Sequence, residues 1–153
     1  MTRRTGGYAA AVADVEVNKS TGKVTVQRVT LAHDCGLIVN PDGVKNQVEG
    51  NIVQGVSRAL FEEVTFDSSG VTSLDWNSYP ILKFADLPDL DIVLINRPDV
   101  ASLGAGELST VPVPAAIANG IFDATGIRLR EVPFTSKRIL AGLQAATQTS
   151  KSS

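Results

Sequence analysis

Residues 7–17 end in an alternation, with Val15 and Val17 on one face and Asp14 and Glu16 on the other. Residues 23–29 alternate again with period two. Lys19-Ser20-Thr21-Gly22 between them carries turn chemistry, so the pair reads as a β-hairpin with a short loop. Its second strand runs on through Leu31, Ala32 and His33 to Cys35. The pattern then breaks at residues 36–42. Asn40-Pro41-Asp42-Gly43 is a turn that also suits a helix start, with Asn40 or Asp42 placed to cap free backbone N–H groups. Val44, Val48, Ile52, Val56 and Leu60 recur every four residues, and Val53 and Ala59 widen the stripe. This spacing predicts a helix over residues 44 to about 61.

Residues 62–66 read as a strand ending at the turn of residues 67–70. Residues 71–89 are irregular, with Trp76, Tyr79 and Phe84 expected in the core or at an edge. Residues 90–95 form a buried-strand candidate closed by Asn96-Arg97-Pro98. A long loop to about residue 111 leads to an apolar, small-residue helix over 113–124, with Thr125-Gly126 as its stop signal. Residues 128–132 suggest a short strand. Thr135 or Ser136 caps a last helix over about 137–146, and residues 147–153 form a polar tail expected to be disordered. Strands and helices that do not alternate as βαβ predict an α+β domain over residues 1–146. Its sheet is expected to be mixed and mostly antiparallel, packed with two or three helices.

A length of 153 residues fits one domain with one core. The net charge is −2, with 14 basic against 16 acidic residues and 5% aromatics. That balance, without a basic run, argues against a nucleic-acid surface, which needs clustered Lys and Arg to neutralise phosphates. No apolar stretch reaches the ~20 residues needed to span a bilayer. Met1 to Thr5 opens no export signal, which leaves the compartment open between cytoplasm and, through a preceding segment, periplasm. One cysteine and one histidine, Cys35 and His33, exclude an internal disulfide and a four-ligand Cys/His zinc site.

Four constellations could carry chemistry. Gln47, Gly50, Asn51, Gln54 and Arg58 lie three and four apart, so they share a second face of the 44–61 helix. Glycine inside a helix costs about 0.8–1.0 kcal/mol against alanine, so Gly50 and Gly55 need a reason. Close backbone packing is one; approach of a ligand to the amides of Gln47 and Gln54 is another. The glycine-rich loop LGAGELST over residues 103–110 holds a single carboxylate, Glu107. It departs from G-x-G-x-x-G at Ser109 and lacks a phosphate-loop lysine. Glu107 could be a desolvated general base or a group that interacts with a helix N-terminus. His33 and Cys35, two apart on a strand, could form a Cys–His pair or simply pack. Glu62 and Glu63 point to opposite sides if extended, which disfavours a glycosidase pair.

Taken together, three segments resemble a known family. D-C-G-x-x-x-N-P from Asp34, Q-V-E-G-x-x-x-Q-G from Gln47 and G-x-G-E ending at Glu107 follow in order. They are similar to the C-terminal part of the large molybdenum-binding subunit of the xanthine oxidase family, nearest the isoquinoline 1-oxidoreductase β-subunit and aldehyde dehydrogenase-like branch. The resemblance covers residues 7 to about 143.

It implies a molybdenum hydroxylase that oxidises N-heterocycles or aldehydes with water as the oxygen source. The implied cofactor is molybdenum on molybdopterin, in the cytosine dinucleotide form, with [2Fe–2S] clusters on a separate small subunit. By that likeness Glu107 is the base. Gln47 contacts the pterin, and Gly50, Gln54 and Gly106 join it as cofactor-side residues, with no metal ligand from the protein. A complete subunit is several times longer, so the partners implied are an N-terminal remainder of the same subunit and the small iron–sulfur subunit. This chain alone is not expected to hold the cofactor, and its uncovered apolar surface would favour self-association. The competing reading is a catalytically silent scaffold or oligomerisation module that keeps the fold without binding cofactor.

Overall fold

The computed structural model describes residues 6–151. Strands β1 (Tyr8–Val17) and β2 (Val24–Asp34) form the expected antiparallel hairpin. Its turn is held by Asn18, whose Oδ1 accepts from the N–H groups of Ser20 and Thr21. The register steps from Asp14↔Arg28 to Val15↔Val26, which leaves Gln27 as an extra residue in β2. That bulge changes the phase of the strand. Val24 and Val26 before it and Val29, Leu31 and His33 beyond it are therefore all buried on the same side.

The second edge of β2 pairs in parallel with Asp89–Ile95, giving a mixed three-stranded sheet in the order β1, β2 and this strand. The fold is α+β, as the non-alternating element order predicts. The 89–95 strand is not buried on both faces. Asp89, Asp91, Val93 and Ile95 are exposed while Leu90, Ile92 and Leu94 are partly covered.

Helix α1 (Pro41–Leu60) starts where Asn40 Oδ1 accepts from the N–H of Gly43, with Pro41 in the first turn. It presents Val48, Ile52, Val56 and Ala59 to the core. Helix α2 (Pro112–Thr125) adds Val113, Ala116, Ile117 and Ile121, and ends at Gly126 in the left-handed region. The two helices meet at Gly55. A Cβ built there would lie 2.8 Å from Val113 Cβ, so this is the glycine that close packing requires. Gly50 meets nothing within 4 Å. Helix α3 (Ser136–Lys151) closes the core through Ile139, and Thr135 Oγ1 accepts from the N–H of Arg138 at its start.

Four expectations change. The strand expected over 62–66 shrinks to β3 (Phe66–Asp67), paired with β4 (Gly70–Val71), so the strand at Asp89–Ile95 is β5. Residues 128–132 pair with no strand. Leu129 serves helix packing instead, lying with Ile127 over Gly142 of α3, and Val132 is exposed. The last helix continues to Lys151 rather than stopping near residue 146. Gln144, Ala145, Ala146 and Gln148 are good helix formers, and Thr147 Oγ1 donates to the Leu143 carbonyl. Met1–Thr5 and Ser152–Ser153, the ends of the expected leaderless start and disordered tail, lie outside the described residues. Finally, Trp76 and Phe84 are not core residues: with Phe66 and Leu74 they are each at least 75% exposed.

The two helix glycines should respond oppositely. Gly50→Ala places a methyl in open space and removes a helix-breaking residue, so it should stabilise the fold by about 0.5–1 kcal/mol. Gly55→Ala forces Val113 aside and should destabilise by about 1–2 kcal/mol despite the same propensity gain. Urea unfolding of the two variants beside the parent chain checks the pair, and equal shifts would refute this packing account.

Candidate functional site

At the end of β2 the chain turns sharply, and the turn is tied down by the side chain that precedes it. Asp34 Oδ1 accepts from the N–H of Gly36 at 3.0 Å, and Oδ2 lies 2.7 Å from Arg97 Nε. The Gly36 N–H bond first, with Arg97 behind it, holds the Asp34 carboxyl below the usual carboxylate range. Gly36 has φ of +77°, and a Cβ built on it would stand 2.3 Å from the Ala101 carbonyl oxygen. Only glycine fits this position.

Backbone bonds then zip the turn to the loop that follows β5. Gly36 carbonyl accepts from Arg97 N–H at 3.0 Å, Leu37 N–H donates to Val100 at 3.0 Å, and Leu103 N–H donates to Cys35 at 2.8 Å. Ile38 N–H reaches Asn96 Oδ1 at 2.9 Å. Thus D-C-G, N-P and the start of the glycine-rich loop are one mechanical unit. An open cleft of about 360 Å³ lies between this unit and the first turns of α1, lined by Leu37, Val39, Val44, Gln47, Leu103 and Ala105.

The predicted site residues divide around that cleft. Gln47 lines it, and Gly50 and Gln54 continue the same face of α1 in exposed positions. Asn51, on the buried flank, donates Nδ2 to the Ala105 carbonyl at 3.4 Å and so couples α1 to the glycine-rich loop. Gly104 and Gly106 meet nothing within 4 Å of a built Cβ. Glu107 follows them, exposed, at the head of a short 3₁₀ turn over Leu108–Thr110. Its carbonyl accepts from Thr110 N–H at 2.9 Å, and its side chain makes no capping hydrogen bond there. The helix-capping alternative for Glu107 is therefore not realised; α2 begins further on, at Pro112.

The Cys–His pair is not formed either. His33 is fully buried, and its Nδ1 sits 2.7 Å from Ser109 Oγ. Burial pushes the imidazole below its ordinary pKa, against an opposing pull from the Asp34 charge. Cys35 is a free, buried thiol. Among the described residues, no three or more His, Cys, Asp and Glu side chains gather into a metal cage. No described helix is long and apolar enough to cross a membrane. Sequence reasoning missed Arg97 and Ser109. The signal for the first was available, since it is the sole cation in residues 96–111.

The cleft reaches Gln47 on α1 and Ala105 in the glycine-rich loop, two residues ahead of Glu107. Comparison with known proteins decides the family: the sequence model of the molybdopterin cofactor-binding domain matches residues 2–88. The chain belongs to the molybdopterin cofactor-binding domain family. A nicotinate dehydrogenase subunit of Pseudomonas putida is 51% identical over 136 residues, covering 89% of this chain and 12% of that protein. The isoquinoline 1-oxidoreductase β-subunit of Brevundimonas diminuta is 34% identical over 132 residues, 86% of this chain and 17% of its own length. Among solved structures, the aldehyde oxidoreductase of Desulfovibrio gigas superposes with a TM-score of 0.80 at 32% identity, over 90% of this chain and 15% of that one. The chain thus spans 12–17% of these two curated relatives. The resemblance drawn from the three motifs holds, and this molybdopterin-binding domain is a piece of a xanthine oxidase-family subunit.

The buried imidazole gives the domain a defined acid response. The unfolded chain takes a proton near the ordinary value of 6.5 while folded His33 resists it. Stability is therefore complete above that value and falls as pH drops below it. Asp34 acts in a lower window, contributing fully above about pH 4 and losing that contribution as pH falls through its depressed value. Urea midpoints between about pH 8 and about pH 5 should decline for the parent and stay flat for His33→Asn. A flat parent curve would refute the buried, neutral imidazole.

Proposed function

We propose that this chain is the portion of a molybdenum hydroxylase that supplies the general base, Glu107, and part of the cofactor wall. The observation that carries the reading is the joining of Gln47 and the Leu103–Ala105 stretch on one cleft, with Asn51 bonded to the Ala105 carbonyl just ahead of Glu107. Gln47 would hold the pterin edge by its amide. Gly50, Gln54 and Gly106 would flank it, the two glycines because a Cβ built on either meets nothing within 4 Å, which leaves room for a planar ring system. When bound, the molybdenum–pterin group, proposed in its cytosine dinucleotide form, would supply the two-electron acceptor.

Glu107 then has one task. It would take the proton from a water-derived hydroxyl as that oxygen bonds to an electron-poor carbon of an N-heterocycle or aldehyde, while the hydrogen displaced from the carbon would leave with its electron pair to the two-electron acceptor. An exposed carboxylate with no capping bond is free to turn toward that proton. The named relatives, nicotinate dehydrogenase and isoquinoline 1-oxidoreductase, support a heteroaromatic substrate. The partners are the N-terminal remainder of the subunit, which would cover the exposed Phe66, Leu74, Trp76 and Phe84, and a small subunit carrying [2Fe–2S] clusters.

In the complete enzyme, Glu107→Gln should leave molybdenum content unchanged and reduce kcat by about 10²–10⁴-fold, with little change in KM. Metal analysis beside steady-state kinetics checks it. Near-normal turnover would remove Glu107 from the reaction.

A further inference from the structure

We propose that His33 is a positioning residue for Glu107, acting through its buried hydrogen bond to Ser109. The inference rests on the reading of Glu107 as the base and adds what holds that base in place. His33 continues the row formed by Val29 and Leu31 on β2, and like them it is 0% exposed. Packing alone would be served there by another valine or leucine. A ring with two polar nitrogens is costly in such a place unless both are satisfied. Only one is. Nδ1 meets Ser109 Oγ at 2.7 Å, while Nε2 is buried with no partner among the described residues.

Which of Nδ1 and Ser109 Oγ donates depends on the imidazole tautomer, and either tautomer closes the same bond. The whole hydrogen-bonding capacity that His33 uses goes to one atom. Ser109 is itself 0% exposed and lies inside the Leu108–Thr110 turn that Glu107 heads. The bond joins positions 76 apart in the chain, fixing the far side of Glu107 to the central strand. On the near side, Leu103 is bonded to Cys35 and Ala105 to Asn51. Glu107, exposed and uncapped, is thus bracketed by two anchors that both trace back to the end of β2 and α1.

The test uses variants graded by ring geometry. Asparagine places a polar atom near the position of Nδ1, and glutamine places one near Nε2. Ser109→Ala removes the partner atom with almost no change in volume. In the purified 153-residue chain, amide hydrogen exchange of the Thr110 N–H and its neighbours should accelerate roughly tenfold in Ser109→Ala and His33→Gln. His33→Asn should stay within about threefold of the parent, and α1 amides should not change. If His33→Gln does not fold, Ser109→Ala carries this arm alone. In the complete molybdenum subunit, with nicotinate as the probe, Ser109→Ala should lower kcat about tenfold at unchanged KM and unchanged metal content. In a Glu107→Gln background the same change should cost nothing further. Unaltered exchange at Thr110 in Ser109→Ala, acceleration spread equally over α1, or a full additional loss in the double variant would each overturn the proposal. Normal turnover of Glu107→Gln with the local exchange effect intact would instead sink the base assignment and leave the anchor standing.

Discussion

The carboxylate of Asp34 is the joint on which the site is assembled. One of its oxygens closes the turn onto Gly36 and the other meets Arg97 across the loop that follows β5. Once that turn is closed, the carbonyls and N–H groups of residues 35–37 face the loop in the right order to be satisfied by Arg97, Val100 and Leu103. Backbone groups at a buried chain reversal must find partners, and here each partner comes from the same loop. The path of residues 96–103 is therefore dictated by the turn, and the glycine-rich stretch begins wherever that path ends.

From there the site is a matter of geometry between rigid pieces. Helix α1 starts at Asn40 only a few residues beyond the turn, so the exposed amide of Gln47 is held at a fixed offset from Leu103 and Ala105. Neither the helix nor the loop alone forms a cleft. The cleft is open, and the chain covers 12–17% of the two curated relatives described. Rigidity lies in the buried strand end, and the Glu107 carboxylate is left in the open.

Much of the architecture was legible because it depends on local signals. The four-residue recurrence of Val44 to Leu60 and the Asn40-Pro41 start specify α1, and alternation about Lys19 to Gly22 specifies the hairpin. Long-range pairing was not legible. Nothing in residues 90–95 announces that they pair in parallel with β2 or that one face stays exposed, because that depends on what lies alongside. The short strand expected at residues 128–132 fails for a related reason: Leu129, with Ile127 just before it, rests on α3 at Gly142 rather than in a sheet. At the site, the family motifs picked out Gln47 and Glu107. The residues that hold them, Arg97 and Ser109, fall outside those motifs and are tied in only through contacts distant in sequence.

The extra residue at Gln27 has a meaning for how this domain can change. It divides β2 into two segments whose inward faces are set independently, with Val24 and Val26 on one side of it and Val29, Leu31 and His33 on the other. The far segment takes its alignment from β5 and from the closed turn at Asp34, so it does not need the hairpin end to keep count. Insertions or deletions around residues 18–23 are thereby decoupled from the cleft at the opposite end of the strand. The hairpin tip is seated on α3, where Gly22 is buried against the Ser136 carbonyl and Leu140, so a change of length there is felt by α3, while the frame in which Glu107 is presented stays constant.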